Sequence, residues 1–286
     1  MRHVHDNQTE GLELRAVRVR QDIIRMLHAA GTGHAAGSLG MADVMVALYF
    51  HVLNHDPKRP DWPERDRFLL SNGHICPALY AVLAQAGYFP VVELMTLRRF
   101  GSRLQGHPER LRLPGLESTS GPLGEGLAQG AGLASAAKMD GRGWRTYVLT
   151  SDGEHGAGLH WEAVMFAGKN GLGNLTCIVD RNNIQIDGRT EEVMPLEPLA
   201  DKYRSFGWNV IETDGNDIRR FVEATQEAKE VTDRPTCIIA HNVPGRGVSF
   251  IENDYRWHGR VPNDKQAELA LDELQAAERR LAADHA

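Results

Sequence analysis

The stretches TYVLTSDGE (residues 146–154) and LTCIVDRNNI (residues 175–184) decide the fold. Each opens as an apolar run with little polar alternation, as a strand buried on both faces of a parallel sheet requires. Each then breaks into a polar loop, and the second loop follows the first by about thirty residues, the length of one strand–helix–strand unit. Adjacent parallel strands would bring Asp152 and Asn182 together at their carboxyl ends, where open α/β sheets bind ligands.

The same alternation extends outward in both directions. Strands are predicted over Arg67–Leu70, Thr146–Thr150, Leu175–Asp180, Asn209–Thr213 and Thr236–His241. Helices are predicted over Glu10–Ala30, Ala42–Val52, Cys76–Ala86, Gly124–Met139, Trp161–Gly168, Leu199–Phe206 and Ile218–Glu230, with Thr32–Gly40 a Gly-rich loop. The fold class is α/β, a doubly wound, mostly parallel sheet with helices on both faces. Residues 1–286 read as a single domain, in which 264–286 form a charged amphipathic helix or linker. Trp161, Trp208 and the methionines are expected in the core, and His155 and His160 on the surface.

Composition narrows the function classes. The 286 residues are 42% hydrophobic and 24% charged, which argues against disorder or a disulfide scaffold. With 32 basic against 38 acidic residues, net −6, nothing favours nucleic acid as a partner. Cys76, Cys177 and Cys237 are odd in number and lack CxxC spacing, which fits a reducing, cytoplasmic compartment rather than a zinc cluster. The opening MRHVHDNQTEG has no apolar signal core. Residues 68–92 carry no charge, yet Ser71, Asn72, Gly73, His74, Pro77 and Gln85 interrupt the run, which favours a buried helix near a polar loop over a membrane span.

The 29 glycines cluster in loops that could approach a ligand. Asp152, Asn182 and a nearby carbonyl are hard oxygen ligands; with one carboxylate among them, a Mg²⁺ bound there would be completed by phosphate oxygens and water. The alternative is that Asp152 caps a helix and Asn182 sits in a turn. GPLGEG (residues 121–126) could cradle a ligand or simply form a tight turn before a closely packed helix. His34, His74, His107 and His258 each adjoin a glycine. Singly they read as structural imidazoles, and together as a pocket for a diphosphate and a polyhydroxyl substrate.

Six segments together resemble the N-terminal half of transketolase in its split, two-chain form. They are GHAAGSLGMADVMVALYF, RDRFLLSNGHICPALYAVL, GSRLQGHPE, GPLGEGLAQGAGLA, SDG with a downstream VDRNNIQIDG, and GVSFIENDYRWHGRVPND. The resemblance covers almost the whole chain and implies a diphosphate-binding domain of the thiamine-diphosphate fold. It implies Asp152, Asn182 and the carbonyl of Ile184 as ligands of Mg²⁺, or of Ca²⁺ or Mn²⁺. His34, His74 and His258 would surround the diphosphate and reaction centre, and His107 would contact the donor ketose. The backbones of Gly121 and Leu123 would touch the aminopyrimidine and those of Gly153 and Glu154 the diphosphate, with Ile186 and His241 also at the cofactor. His34, His107 and His258 would be catalytic.

The implied reaction moves a two-carbon ketol unit from a ketose, usually phosphorylated, to an aldose. A partner chain carrying the pyrimidine domain would supply an essential glutamate, so the resemblance implies an α₂β₂ assembly and no activity from this chain alone. Three departures stand out: Ser151 opens the SDG where the family has GDG, Ala157 replaces a glutamate of the interface network while Glu162 remains, and His241 and Pro244 replace lysines. Competing readings are a deoxyxylulose-phosphate synthase-like protein, a 2-oxoacid dehydrogenase component, or a non-catalytic regulatory subunit.

Overall fold

The computed structural model describes residues 6–284, so residues 1–5 of the opening segment lie outside it. Five strands build the sheet: β1 (Arg67–Leu70), β2 (Thr146–Ser151), β3 (Leu175–Arg181), β6 (Asn209–Asp214) and β7 (Thr236–His241). Their order is β1-β2-β3-β7-β6, and every neighbouring pair is parallel. A short antiparallel ribbon, β4 (Ile184–Gln185) with β5 (Gly188–Arg189), follows β3 and leads into the one-turn helix α7 (Thr190–Val193).

Side chains alternate between two buried faces, which is why the central strands read as continuously apolar. On β2, Tyr147 and Leu149 join one core cluster, with helices α1 (Asp6–Ala30), α3 (Ala42–Ala47), α4 (Cys76–Ala86), α9 (Ile218–Glu230) and α10 (Asp264–Asp284). Val148 joins the other, with α5 (Gly126–Met139), α6 (Gly158–Lys169) and α8 (Leu199–Ser205). The doubly wound α/β class expected from the sequence is the class observed. Edge strand β6 is only partly buried.

Local chemistry sets the boundaries. Helix α4 has Pro in its first turn, where no N–H is needed, and ends at Gly87 in the left-handed region. Helix α5 approaches the sheet so closely that a Cβ at Gly130 would collide with the side chain of Val148. Arg20 of α1 and Asp43 of α3 form a buried bidentate pair, and Asn216 donates to the same carboxylate at 2.8 Å.

Several expectations need correction. The Thr32–Gly40 stretch is not all loop, because Ala35–Gly40 forms helix α2. The predicted 42–52 helix is α-helical only to Ala47 and then widens into a π-turn over Leu48–Val52. Met26, Met41 and Met45 are buried, but Met95, Met139, Met165 and Met194 are exposed. Trp208 is buried and Trp161 packs partly buried against the second cluster. Residues 68–92 form strand, turn and helix, and among the described residues no helix is long and apolar enough to cross a membrane. Cys177 and Cys237, distant in sequence, are register partners on β3 and β7; with Cys76 they are buried free thiols.

Candidate active site

The carboxyl ends of β1, β2 and β3 converge on one cavity of about 390 Å³. Its lining includes His34, His74, His107, His258, Gly121, Leu123, Asp152, Gly153, Asn182, Ile184 and Ile186, together with Ser151, Gln185 and Asp187. Two expected residues do not line it. His241 ends β7 on the outer side, half-exposed, 3.1 Å from Glu212. The Glu154 side chain is buried behind the cavity wall.

Three histidines meet ring to ring. His34 is the N-cap residue of α2, His74 lies in a 3₁₀ turn after β1, and His258 follows the turn Tyr255–Trp257. Their ring centroids are 5.0 Å (His34 to His74), 5.5 Å (His34 to His258) and 5.1 Å (His74 to His258) apart. Burial pushes His34 down to about 4, helped by His258, Arg98 and His107. It also drives His74 well below its ordinary value and lowers His258 and, with Arg98, His107. All four imidazoles are therefore neutral near pH 7, each with one donor and one acceptor nitrogen. Nδ1 of His34 is buried without a hydrogen-bond partner.

Beside them lies an oxygen-rich corner. Asp152 Oδ2 accepts from Arg181 (3.1 Å), the Asn183 N–H (2.8 Å) and Thr190 Oγ1 (3.2 Å). Oδ1 accepts only from the Gly153 N–H, at 2.7 Å, which leaves that oxygen a lone pair for a cation. Asp152 thus caps the 3₁₀ turn Gly153–Gly156 with one lone pair of Oδ1 and has another to give. Asn182 donates to Asp180 at 2.8 Å and accepts from the Ile184 N–H at 3.0 Å, so its amide is fixed in one sense. Buried Asp180 is pushed up to about 8, by burial first and then by Asp152. Among the described residues no three His, Cys, Asp or Glu gather to hold a metal alone. One carboxylate, one amide oxygen and a carbonyl suit a divalent cation that shares its shell with a phosphorylated ligand.

Sequence reasoning gave Glu154 only a backbone role and missed the other residues that brace this corner. Glu154 accepts from Ser71 Oγ, from the Gly124 N–H at 2.7 Å and from the Ser151 N–H at 3.0 Å. It clasps the β1 end, the GPLGEG loop and the β2 end. Arg181 and Asp180 stood inside the VDRNN stretch, and Gln185 and Asp187 directly after Ile184, so proximity to Asn182 was the available signal.

His155 and His160 are not on the surface: both are buried. His155 Nδ1 faces two carbonyls, of Ser151 (2.9 Å) and Asp152 (3.1 Å), so it carries the hydrogen. Its Nε2 must then accept from the Tyr203 hydroxyl at 2.8 Å, and His160 Nε2 donates to that same oxygen at 2.7 Å. This leaves His160 Nδ1 bare, and that atom is buried without a partner.

The family profile described as the transketolase thiamine diphosphate binding domain matches residues 13–284. Over 267 residues the chain is 40% identical to one of the named subunits of the apulose-4-phosphate transketolase of Phocaeicola vulgatus, covering 93% of this chain and 95% of that protein. It is 41% identical over 257 residues to the 6-deoxy-6-sulfo-D-fructose transketolase subunit SqwG of a Clostridium species, covering 90% and 94% respectively. A crystal structure of transketolase from Campylobacter jejuni superposes with a TM-score of 0.87 at 30% identity, over 94% of this chain but 45% of that one.

Proposed function

The chain belongs to the transketolase thiamine-diphosphate-binding domain family, and from that premise we propose that it is the diphosphate-binding subunit of a two-chain transketolase. The observation that carries this reading is the convergence of four neutral imidazoles with Asp152 and Asn182 in one cavity at the strand ends. The chain spans nearly the full length of two relatives named as subunits, but 45% of the Campylobacter jejuni transketolase chain. A separate chain with the pyrimidine domain would supply the rest, in an α₂β₂ assembly. Exposed Leu123 and Ile186 at the cavity, and Leu159, Met165 and Phe166 on α6, suit a covering partner.

When bound, thiamine diphosphate supplies the electron sink for breaking the carbon–carbon bond next to the donor's carbonyl. The chain's own residues do the rest. Asp152, Asn182 and the Ile184 carbonyl would hold Mg²⁺, with Ca²⁺ or Mn²⁺ as substitutes. His74, His258 and the backbones of Gly153 and Glu154 would bind the diphosphate, and those of Gly121 and Leu123 the aminopyrimidine, with Ile186 as an apolar wall. His34, His107 and His258, neutral and able to give or take a proton, would serve the hydroxyl and carbonyl oxygens of the sugars. With His241 turned outward to Glu212, positive charge at the diphosphate rests on the cation.

The names of both relatives specify ketoses that carry an anionic group, a phosphate or a sulfonate. The donor class proposed here is therefore a ketose with an anionic terminus. Three buried free thiols also fit a cytoplasmic setting. The test is to express the chain with a pyrimidine-domain transketolase subunit, add thiamine diphosphate and Mg²⁺, and follow ketol transfer from a panel of ketoses. Transfer by the pair and none by the isolated chain is expected. Activity from the chain alone overturns the split-site reading.

A further inference from the structure

Arg98 lies outside the residues assigned above, and its setting is unusual for an arginine. Its backbone is in the left-handed region, at φ 60°, where a Cβ crowds the following carbonyl. Its N–H donates to the Leu104 carbonyl at 2.9 Å and closes the turn that leads to Gly106 and His107. The guanidinium packs against Gly106, where a Cβ would meet Nε at 2.9 Å and Cζ at 3.0 Å. From that seat Nη1 donates to Thr32 Oγ1 at 3.0 Å and Nη2 to the Gly106 carbonyl at 3.3 Å. Among the described residues no carboxylate pairs with it.

Thr32 stands two residues before His34, and Gly106 immediately before His107. We propose that Arg98 is a positioning residue: by tying the Thr32 loop to the Gly106 loop, it fixes the spacing of His34 and His107 across the cavity. The claim rests on the roles given above to these two histidines. A planar guanidinium has separate donor edges that can hold two acceptors in one fixed geometry, which the point charge of an ammonium cannot reproduce. The uncompensated charge acts in the same direction. After burial, it helps keep both imidazoles neutral, on His34 alongside His258 and His107. The strained backbone places the guanidinium where both loops can be reached.

The test uses full-length chain labelled with ¹³C-histidine, and the same variants paired with the pyrimidine-domain protein. In Arg98→Gln the His34 and His107 imidazoles should titrate at higher pH than in the wild type. In the complex, kcat/KM for the ketose donor should fall about 10- to 100-fold, the scale of an ångström-level misplacement, with thiamine diphosphate affinity unchanged. Arg98→Lys should restore the imidazole titration and leave kcat/KM low, a split that charge alone would not produce. Wild-type titration with wild-type kcat/KM in Arg98→Gln overturns the proposal, as does loss of cofactor binding. If the wild-type complex transfers no ketol unit, the functional reading fails, and a crystal structure of Arg98→Gln decides the positioning claim: wild-type separation of His34 and His107 overturns it.

Discussion

Asp152 and Arg181 meet at the ends of adjacent parallel strands, Nη1 donating to Oδ2 at 3.1 Å with both side chains buried. The pairing saturates one carboxylate oxygen and turns the other toward the cavity. Arg181 also reaches Glu191 at 2.7 Å and Glu197 at 2.9 Å, so it is not stranded when Asp152 is neutralised.

Asp152→Asn should therefore fold and lose cation-dependent cofactor binding. The expected drop in thiamine diphosphate affinity at saturating Mg²⁺ exceeds the ~100-fold that changes to residues around a metal's ligands typically cause. Titration calorimetry measures it, and an unchanged affinity sinks the metal assignment.

His107→Ala should show the opposite separation. Its ring flanks Gly121 rather than joining the triangle of His34, His74 and His258, so cofactor affinity should hold. Donor turnover in the reconstituted complex should fall by about 10²- to 10⁴-fold, the usual contribution of a positioned acid or base. Loss of cofactor binding in this variant would contradict the role.

Acid should unfold the chain early when neither cofactor nor divalent cation is added. Burial pushes His34 and His155 down from 6.5 to about 4, and His74 and His160 well below 6.5. Above about pH 6.5 these groups are neutral in both states and contribute nothing to the pH dependence. Between about 6.5 and 4 the unfolded chain takes up protons that these folded-state histidines refuse, so their share of the stability falls with falling pH, while Asp180, pushed up to about 8, works in the opposite sense. His155 alone is worth on the order of 3 kcal/mol across that window. Urea midpoints at a series of pH values should fall less between pH 7 and 4 in His155→Asn than in the wild type, and an equal fall in both would refute the assignment.

Tyr203→Phe removes the single hydroxyl that satisfies both His155 and His160. Two buried imidazole nitrogens lose their partner, at a cost of about 1–3 kcal/mol each. Chemical denaturation should report the loss. If stability is unchanged, the proton arrangement derived for this cluster is wrong.

Gly130→Ala tests the closeness of α5 to the sheet. The added methyl must displace Val148 or push the helix outward, an overpacking cost of about 1–3 kcal/mol. A gain in stability, as expected for a helical Gly→Ala change in open space, would rule out the tight contact.

The sheet was legible because its strands are buried on both faces: TYVLTS and LTCIVD leave few other readings, and their spacing brought Asp152 and Asn182 to the same corner. The histidines were legible as a group through their glycine neighbours. Helix α2 was hidden because AAGSLG carries two glycines and six buried positions, so it has no polar face to mark a period. His155 and His160 were misjudged because imidazoles are usually exposed, and the hydroxyl that satisfies them lies more than forty residues away. Arg98 was invisible for the same reason: its partners Thr32 and Gly106 are joined only by the fold.

The three cysteines offer a practical handle. Burial pushes Cys76 up to about 12 and raises Cys237 well above its ordinary value, so these thiols stay protonated and inert while the molecule is closed. Cys177 and Cys237 lie side by side in the middle of the sheet, whereas Cys76 opens α4 beside the cavity wall. Alkylation resolved by residue would act as a two-channel clock, in which Cys76 counts openings around α4 and the strand pair counts breaches of the sheet.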